Sequence, residues 1–379
     1  MAAAALPFAA ASSLTAPADA AERAPAPSLA APAGLRPGNA RAARIAAISP
    51  FVRETSAAIT RLANSIEDGA LRSSVLTLLS DPRPTYAQKY PTAESRTVLR
   101  DALVRAGFVA AGTPVEGIFP SGTEAGAAHA PLPFWATAGS DENSHHSYPG
   151  GLAVHEYFNA TMATAFASTY DRLYFNETAS IDRDIVVGAA LYHDIMKAVV
   201  FQWNDDGTLT TETTIAATGG HHVLSGAEAI ARGRSARFVV ALLSAHAAPS
   251  LGDESKVADW CRAAALIAGV DPVAYGLLKR DGANYVLSTA FVPLEAFVNY
   301  LSDHDYVLSI HAVRAVLPEL RRLAPRYPAY QSFAWFKNAV LAHHSAIALY
   351  QTLTHGGPSA FDRAVQTFAE RHPSAAGRL

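Results

Sequence analysis

One cysteine in 379 residues, Cys261, leaves the chain without an internal disulfide framework or a multi-thiolate zinc site. Charge is sparse too. Only 17% of the residues are Asp, Glu, Lys or Arg, and 30 basic against 33 acidic side chains give a formal net charge of −3. No global basic field exists to hold nucleic acid. Beyond the N-terminal segment no apolar run approaches about 18 residues, which argues against a membrane-spanning helix. There is no glycine-rich phosphate loop, no heptad run and no internal repeat, and neither Cys261 nor any serine stands in a recognisable frame for nucleophilic catalysis. What the chain does have is a composition half apolar, enough for a packed core, and 14 histidines. At roughly 150 residues per domain its length suggests about two to three domains.

The first forty residues differ in kind. They hold 17 Ala and 6 Pro, and their first charge is Asp19. Residues 1–14 form a short apolar stretch, and Ala18-Asp19-Ala20 fits a small-residue cleavage site, although no Lys or Arg precedes it. Segment 1–40 is therefore either a secretory signal with an Ala/Pro-rich spacer, implying a periplasmic or secreted protein, or a disordered tail on a cytoplasmic one. From Arg41 the apolar spacing is helical, with stripes such as Ile59, Leu62, Ile66 and Leu71, and Asp81-Pro82-Arg83-Pro84 stops the third helix. Residues 107–144 read as a long irregular connection. Helical periodicity then returns over 151–170, 181–202, 221–232, 234–247, 254–269, 289–303, 306–323 and 331–352, with a small hairpin expected between 202 and 216. The spacing predicts an all-α chain organised as N-terminal helices and connection (41–144), a core (145–280) and a C-terminal helical extension (281–379) packed on it.

The histidines fall in order along the central helices. His155 follows Pro149-Gly150-Gly151; His193-Asp194 lie in the apolar run 189–197; His221-His222 follow Gly219-Gly220; His246 ends an apolar helix; Asp271 follows the apolar run 263–270. Each comes from a different helix, as a metal site inside a bundle requires. Burying His193 and Asp194 without partners would cost several kcal/mol each, a penalty that coordination removes. Imidazole with carboxylate suits divalent iron, manganese, zinc or nickel, and Asp194 can offer one oxygen to each of two ions. Two ions are the expectation.

These residues resemble the HD-domain superfamily of metal-dependent phosphohydrolases, whose pattern is H…HD…H…H…D. The wording His145-His146-Ser147-Tyr148-Pro149-Gly150-Gly151-Leu152-Ala153-Val154-His155 is similar to the opening of the HD-domain 3′–5′ exoribonuclease-like branch, and 189–197 resembles its "LLHDIGK" with Met196 in the glycine position. The resemblance covers about 145–275. It implies an HD-domain helical bundle with His155, His193, Asp194, His222, His246 and Asp271 as ligands, His221 being the alternative to His222 and Asp259 the alternative to Asp271. It also implies that Asp194 and Lys197 carry catalysis and that Lys197, His145 and His146 meet the substrate. Met196 either narrows the pocket or faces the core.

The expected activity is hydrolysis of a small phosphoester, a nucleotide-like phosphomonoester or phosphodiester, by water activated at the two ions. Polymeric RNA is a poor fit, because the N-terminal region reads as tail and helices rather than as a nucleic-acid-binding barrel. The alternatives are an HD-type di-iron oxygenase, which shares the ligand set, and a binding module with a degenerate site. His304-Asp305 reads as a second His-Asp pair with no ligand series, and Tyr300, Tyr306, Trp335 and Phe336 read as aromatics packing the extension on the core.

Overall fold

A computed structural model describes residues 29–120, 129–175, 181–287 and 292–373. Most of segment 1–40, including its signal-like part, lies outside these residues. The helix that follows begins at Pro37, inside that segment, and it is anchored there. Asn39 is buried, donating to Gln202 (2.8 Å) and accepting from the Trp203 N–H (2.9 Å).

Four helices come first: α1 (Pro37–Ile48), α2 (Pro50–Asn64), α3 (Gly69–Ser80) and α4 (Ala93–Arg105). Their ends follow local chemistry. Ser49 Oγ accepts from the Val52 N–H to start α2, Asp68 caps α3, and Thr92 with Ser95 forms a capping box on α4. The described parts of 107–144 contain only short 3-10 turns, as the composition predicts. The central helices are α5 (Gly151–Tyr174), α6 (Arg183–Ala190), α7 (Lys197–Val200), α8 (Gly220–Ala231), α9 (Ala236–Leu243) and α10 (Glu254–Ala268). The last four are α11 (Leu294–Ser302), α12 (Tyr306–Leu323), α13 (Phe333–His344) and α14 (Ala346–Arg371). Among the described residues the only sheets are two antiparallel pairs, β1 (Thr214–Ile215) with β2 (Thr218–Gly219) and β3 (Leu278–Asp281) with β4 (Asn284–Leu287). The chain is an all-α bundle, and no described helix is long and apolar enough to cross a membrane.

Three expectations are corrected. Residues 181–202 are not one helix: regular structure stops at Ala190, and 191–196 form tight turns in which the Ile195 N–H reaches Tyr192 O and the Lys197 N–H reaches Asp194 O. Residues 331–352 split at Ser345, whose φ of 60° turns the chain between α13 and α14. Helices of the 281–379 segment pack against both the central and the N-terminal helices. α11 packs against α5, α9 and the 3-10 turn 244–246, while α13 packs against α1 and α2. Trp335 and Phe336 are buried as expected, with the Trp335 indole donating to Asp205 O (2.8 Å), but Tyr300 and Tyr306 line the central cavity instead.

The start of α5 depends on a close backbone approach. A Cβ on Gly151 would lie 1.8 Å from the carbonyl oxygen of His146, a backbone atom that also accepts from the Gly139 N–H. Gly151→Ala is expected to lose about 3 kcal/mol of stability or more, measurable by denaturant unfolding, because backbone rather than a mobile side chain must yield.

Candidate metal centre

Five elements converge on a cavity of about 530 Å³. His155 comes from the first turn of α5, His193 and Asp194 from the turns after α6, and His221 and His222 from the start of α8. His246 comes from the 3-10 turn closing α9, and Asp303 from the end of α11. His155, His193, Asp194, His221 and Asp303 are all buried. A regular helix would point consecutive side chains about 100° apart. The broken helix after Ala190 instead delivers His193 and Asp194 into one space.

Asp194 is the centre of this geometry. Its Oδ2 faces His155 Nε2 (3.3 Å) and His193 Nε2 (3.5 Å), while its Oδ1 faces His221 Nε2 (3.2 Å) and His246 Nε2 (3.4 Å). Asp303 repeats the division, with Oδ1 toward His155 (3.1 Å) and His193 (3.7 Å) and Oδ2 toward His246 (3.4 Å). Ligand atoms lie within 4.8 Å of one another in His155–His193–Asp194, in His193–His246–Asp303 and in Asp194–His221–His222–His246. Separations of 3.1–3.7 Å are those of donors roughly 2.1 Å from a shared cation.

The donor set fits divalent transition ions on a second count. His193 Nε2, Asp194 Oδ1 and His221 Nε2 are buried without a hydrogen-bond partner. Polar atoms left so are costly, and ligation would satisfy all three.

Charge inside the cluster is balanced by neighbours. Burial works to raise the Asp194 pKa, but Lys197 and the surrounding imidazoles hold it well below the usual carboxylate range. Burial opposes charge on His155, yet Asp194 and Asp303 more than offset it and raise its pKa to about 9. His193 and His221 are raised likewise by adjacent carboxylates against the effect of burial, and Asp303 is held well below its ordinary value by His246 and His155. Burial instead holds His246 below its ordinary value and His222 well below it, so the raised imidazoles are His155, His193 and His221.

The residues expected from sequence divide as follows. His155, His193, Asp194 and His246 come together. His221 and His222 both face the cluster: His221 approaches Asp194, whereas His222 stacks on His246 (centroids 3.4 Å apart) and hydrogen-bonds through Nδ1 with Thr218 Oγ1 (2.6 Å). Asp271 and Asp259 are both exposed and outside the cluster. Asp271 accepts from the Val273 and Ala274 N–H groups (2.9 and 2.7 Å), and Asp303 is the carboxylate that stands with His155, His193 and His246. Lys197 is buried on the cavity wall, its ammonium shared between Asp194 Oδ2 and Gly139 O. His145 lines the cavity with its ring centroid 5.0 Å from that of His155. His146 does not: its Nε2 pairs with Asp305 (2.6 Å) and its Nδ1 with Tyr148 Oη (3.1 Å), so it clamps the α5 entry to α12. Met196 is fully buried and faces the core.

Sequence reasoning missed Asp303, Asn159, Glu156 and Glu212. Asn159, one turn beyond His155, donates to Asp303 Oδ1 (2.9 Å). Glu156 Oε2 lies 3.2 Å from His193 Nδ1, and Glu212 Oε2 2.6 Å from His221 Nδ1. The signal for Asp303 was present in the run Asp303-His304-Asp305 at the end of an apolar helix, where Asp305 turns out to hold His146.

The chain is similar to dihydroneopterin 2',3'-cyclic phosphate phosphodiesterase of Methanocaldococcus jannaschii, 27% identical over 150 residues, which is 40% of this chain and 43% of the relative. The match thus spans less than half of either protein. No protein-family profile matches the chain, and no solved structure does.

Proposed function

We propose that the chain is an HD-type phosphohydrolase that cleaves a small phosphoester at a dinuclear metal centre. The observation that carries this reading is the division of Asp194, one oxygen toward His155 and His193 and the other toward His221 and His246. The similarity to a phosphodiesterase supports the reaction class, and the cavity, about 530 Å³, suits a mononucleotide-sized ester rather than a polymer. Cations held by His155, His193, Asp194, His221, His246 and Asp303, with His222 within reach of the second, would polarise phosphoryl oxygens and acidify water.

The chain's own residues do the rest. An ammonium has three N–H donors. Lys197 gives two to Asp194 and Gly139, leaving one for a phosphoryl oxygen in the cavity it lines. Burial foremost, with positive charge beside it, holds the His145 pKa well below its ordinary value. Neutral His145, with Nδ1 buried and unpartnered, can then donate or accept a hydrogen bond at the ester.

Lys197→Ala is expected to keep both metal equivalents while turnover of a chromogenic phosphodiester falls about 10²-fold, the scale of losing one charged donor in a closed site. Unchanged kinetics would remove its role. The reaction class is tested by assaying phosphoester hydrolysis with Mn²⁺ or Ni²⁺ with and without oxygen. Oxygen-independent release of the ester's alcohol supports the proposal. Turnover that requires iron and oxygen would replace it with the oxygenase reading.

A further inference from the structure

Resting on the dinuclear reading, we infer that Glu212 is a positioning residue that fixes the tautomer and aim of His221 and so sets the affinity of one metal position and not the other. A neutral imidazole has one N–H. When it is donated to a carboxylate, the opposite nitrogen is left as a ligand pointed in a fixed direction. Glu212 Oε2 lies 2.6 Å from His221 Nδ1 and also accepts from the His221 backbone N–H (3.3 Å), so ring and helix start are held by one oxygen. His221 Nε2, on the far side of the ring, is the buried, unpartnered nitrogen 3.2 Å from Asp194 Oδ1.

The scaffold is built for this contact. Thr214 pairs with Gly219 in the β1–β2 hairpin, which folds the segment carrying Glu212 back over the start of α8. A Cβ on Gly219 would lie 2.7 Å from Glu212 Oε1 and 2.9 Å from His221 Cε1, so glycine leaves the room that the carboxylate occupies. The other half of the centre is anchored differently. His193 Nδ1 lies 2.8 Å from the backbone carbonyl of Ala190 as well as near Glu156, so no single side chain sets its aim. Removing Glu212 therefore loosens only the Asp194–His221–His222–His246 position.

The experiment is a Co²⁺ titration of chelator-stripped full-length protein, read by visible absorption and calorimetry. Wild type is expected to bind two equivalents. Glu212→Ala should raise the Kd of one equivalent about 10–100-fold and leave the other unchanged. Glu212→Gln, whose amide oxygen still accepts from Nδ1–H, should recover part of the loss. Gly219→Ala, which displaces the carboxylate without removing it, should reproduce the alanine variant and guards against simple misfolding of that variant. Two wild-type affinities in both Glu212→Ala and Gly219→Ala, or equal weakening of both equivalents, would overturn the inference. A wild type that takes up no cobalt would overturn the dinuclear reading itself.

Discussion

Asn in place of Asp194 is expected to yield a folded protein that holds neither metal equivalent and turns over phosphoesters at least roughly 10³-fold more slowly. The size of the effect follows from position. Each Asp194 oxygen serves a different pair of imidazoles, so one substitution removes a ligand from both halves. Withdrawing ion-assisted stabilisation worth several kcal/mol converts to that factor or more. The amide keeps the side chain's volume, which separates loss of ligation from loss of packing. Elemental analysis of the purified variant, paired with turnover, checks the result; full occupancy of both positions would refute the shared carboxylate. Asp303→Asn should also lose metal, whereas Asp271→Asn should change neither quantity, since Asp271 only closes a surface turn.

Metal affinity should fall steeply with acid, by roughly tenfold per pH unit for each proton displaced. Ion-free His155 carries its proton up to about pH 9. A cation must expel that proton, so for His155 alone binding weakens about 100-fold from pH 8 to pH 6. Titrations at those two pH values, with proton release followed in weak buffer, give the measurement, and a pH-independent Kd would contradict it. Stability of the ion-free protein runs differently. The raised His155 pKa contributes stability that is complete below about pH 6.5 and lost as pH climbs through about 9. The depressed Asp194 and Asp303 contribute stability present above about pH 4 and lost as acid reaches their folded pKa values. The stripped protein should thus be most stable between these limits, while added metal extends stability toward alkaline pH, where imidazoles are free to ligate.

Helical class and the gathering of His155, His193, Asp194 and His246 were legible because apolar periodicity and buried polar pairs are local signals. Asp303 was not. The apolar run 263–270 and the family resemblance pointed to Asp271, but α10 and the β3–β4 hairpin intervene before α11 returns to the cavity. Asp271 has the right neighbours in sequence and the wrong ones in space. The turns at 191–196 were equally hidden, because the run of apolar residues there reads the same whether the backbone is regular or not. Glu212 sat in a Thr-rich stretch with no periodicity, and only the strand register brings it to His221.

The route of the chain through α11 has a consequence for biosynthesis. His155 and Asp303 stand 148 residues apart in the sequence, so bringing them together draws in a long loop at an entropic cost. A nascent polypeptide halted before Asp303 leaves the ribosome tunnel lacks the carboxylate that faces His155, His193 and His246. On the dinuclear reading, cation loading would wait for this carboxylate, and uptake by partial translation products should fail until that aspartate has emerged.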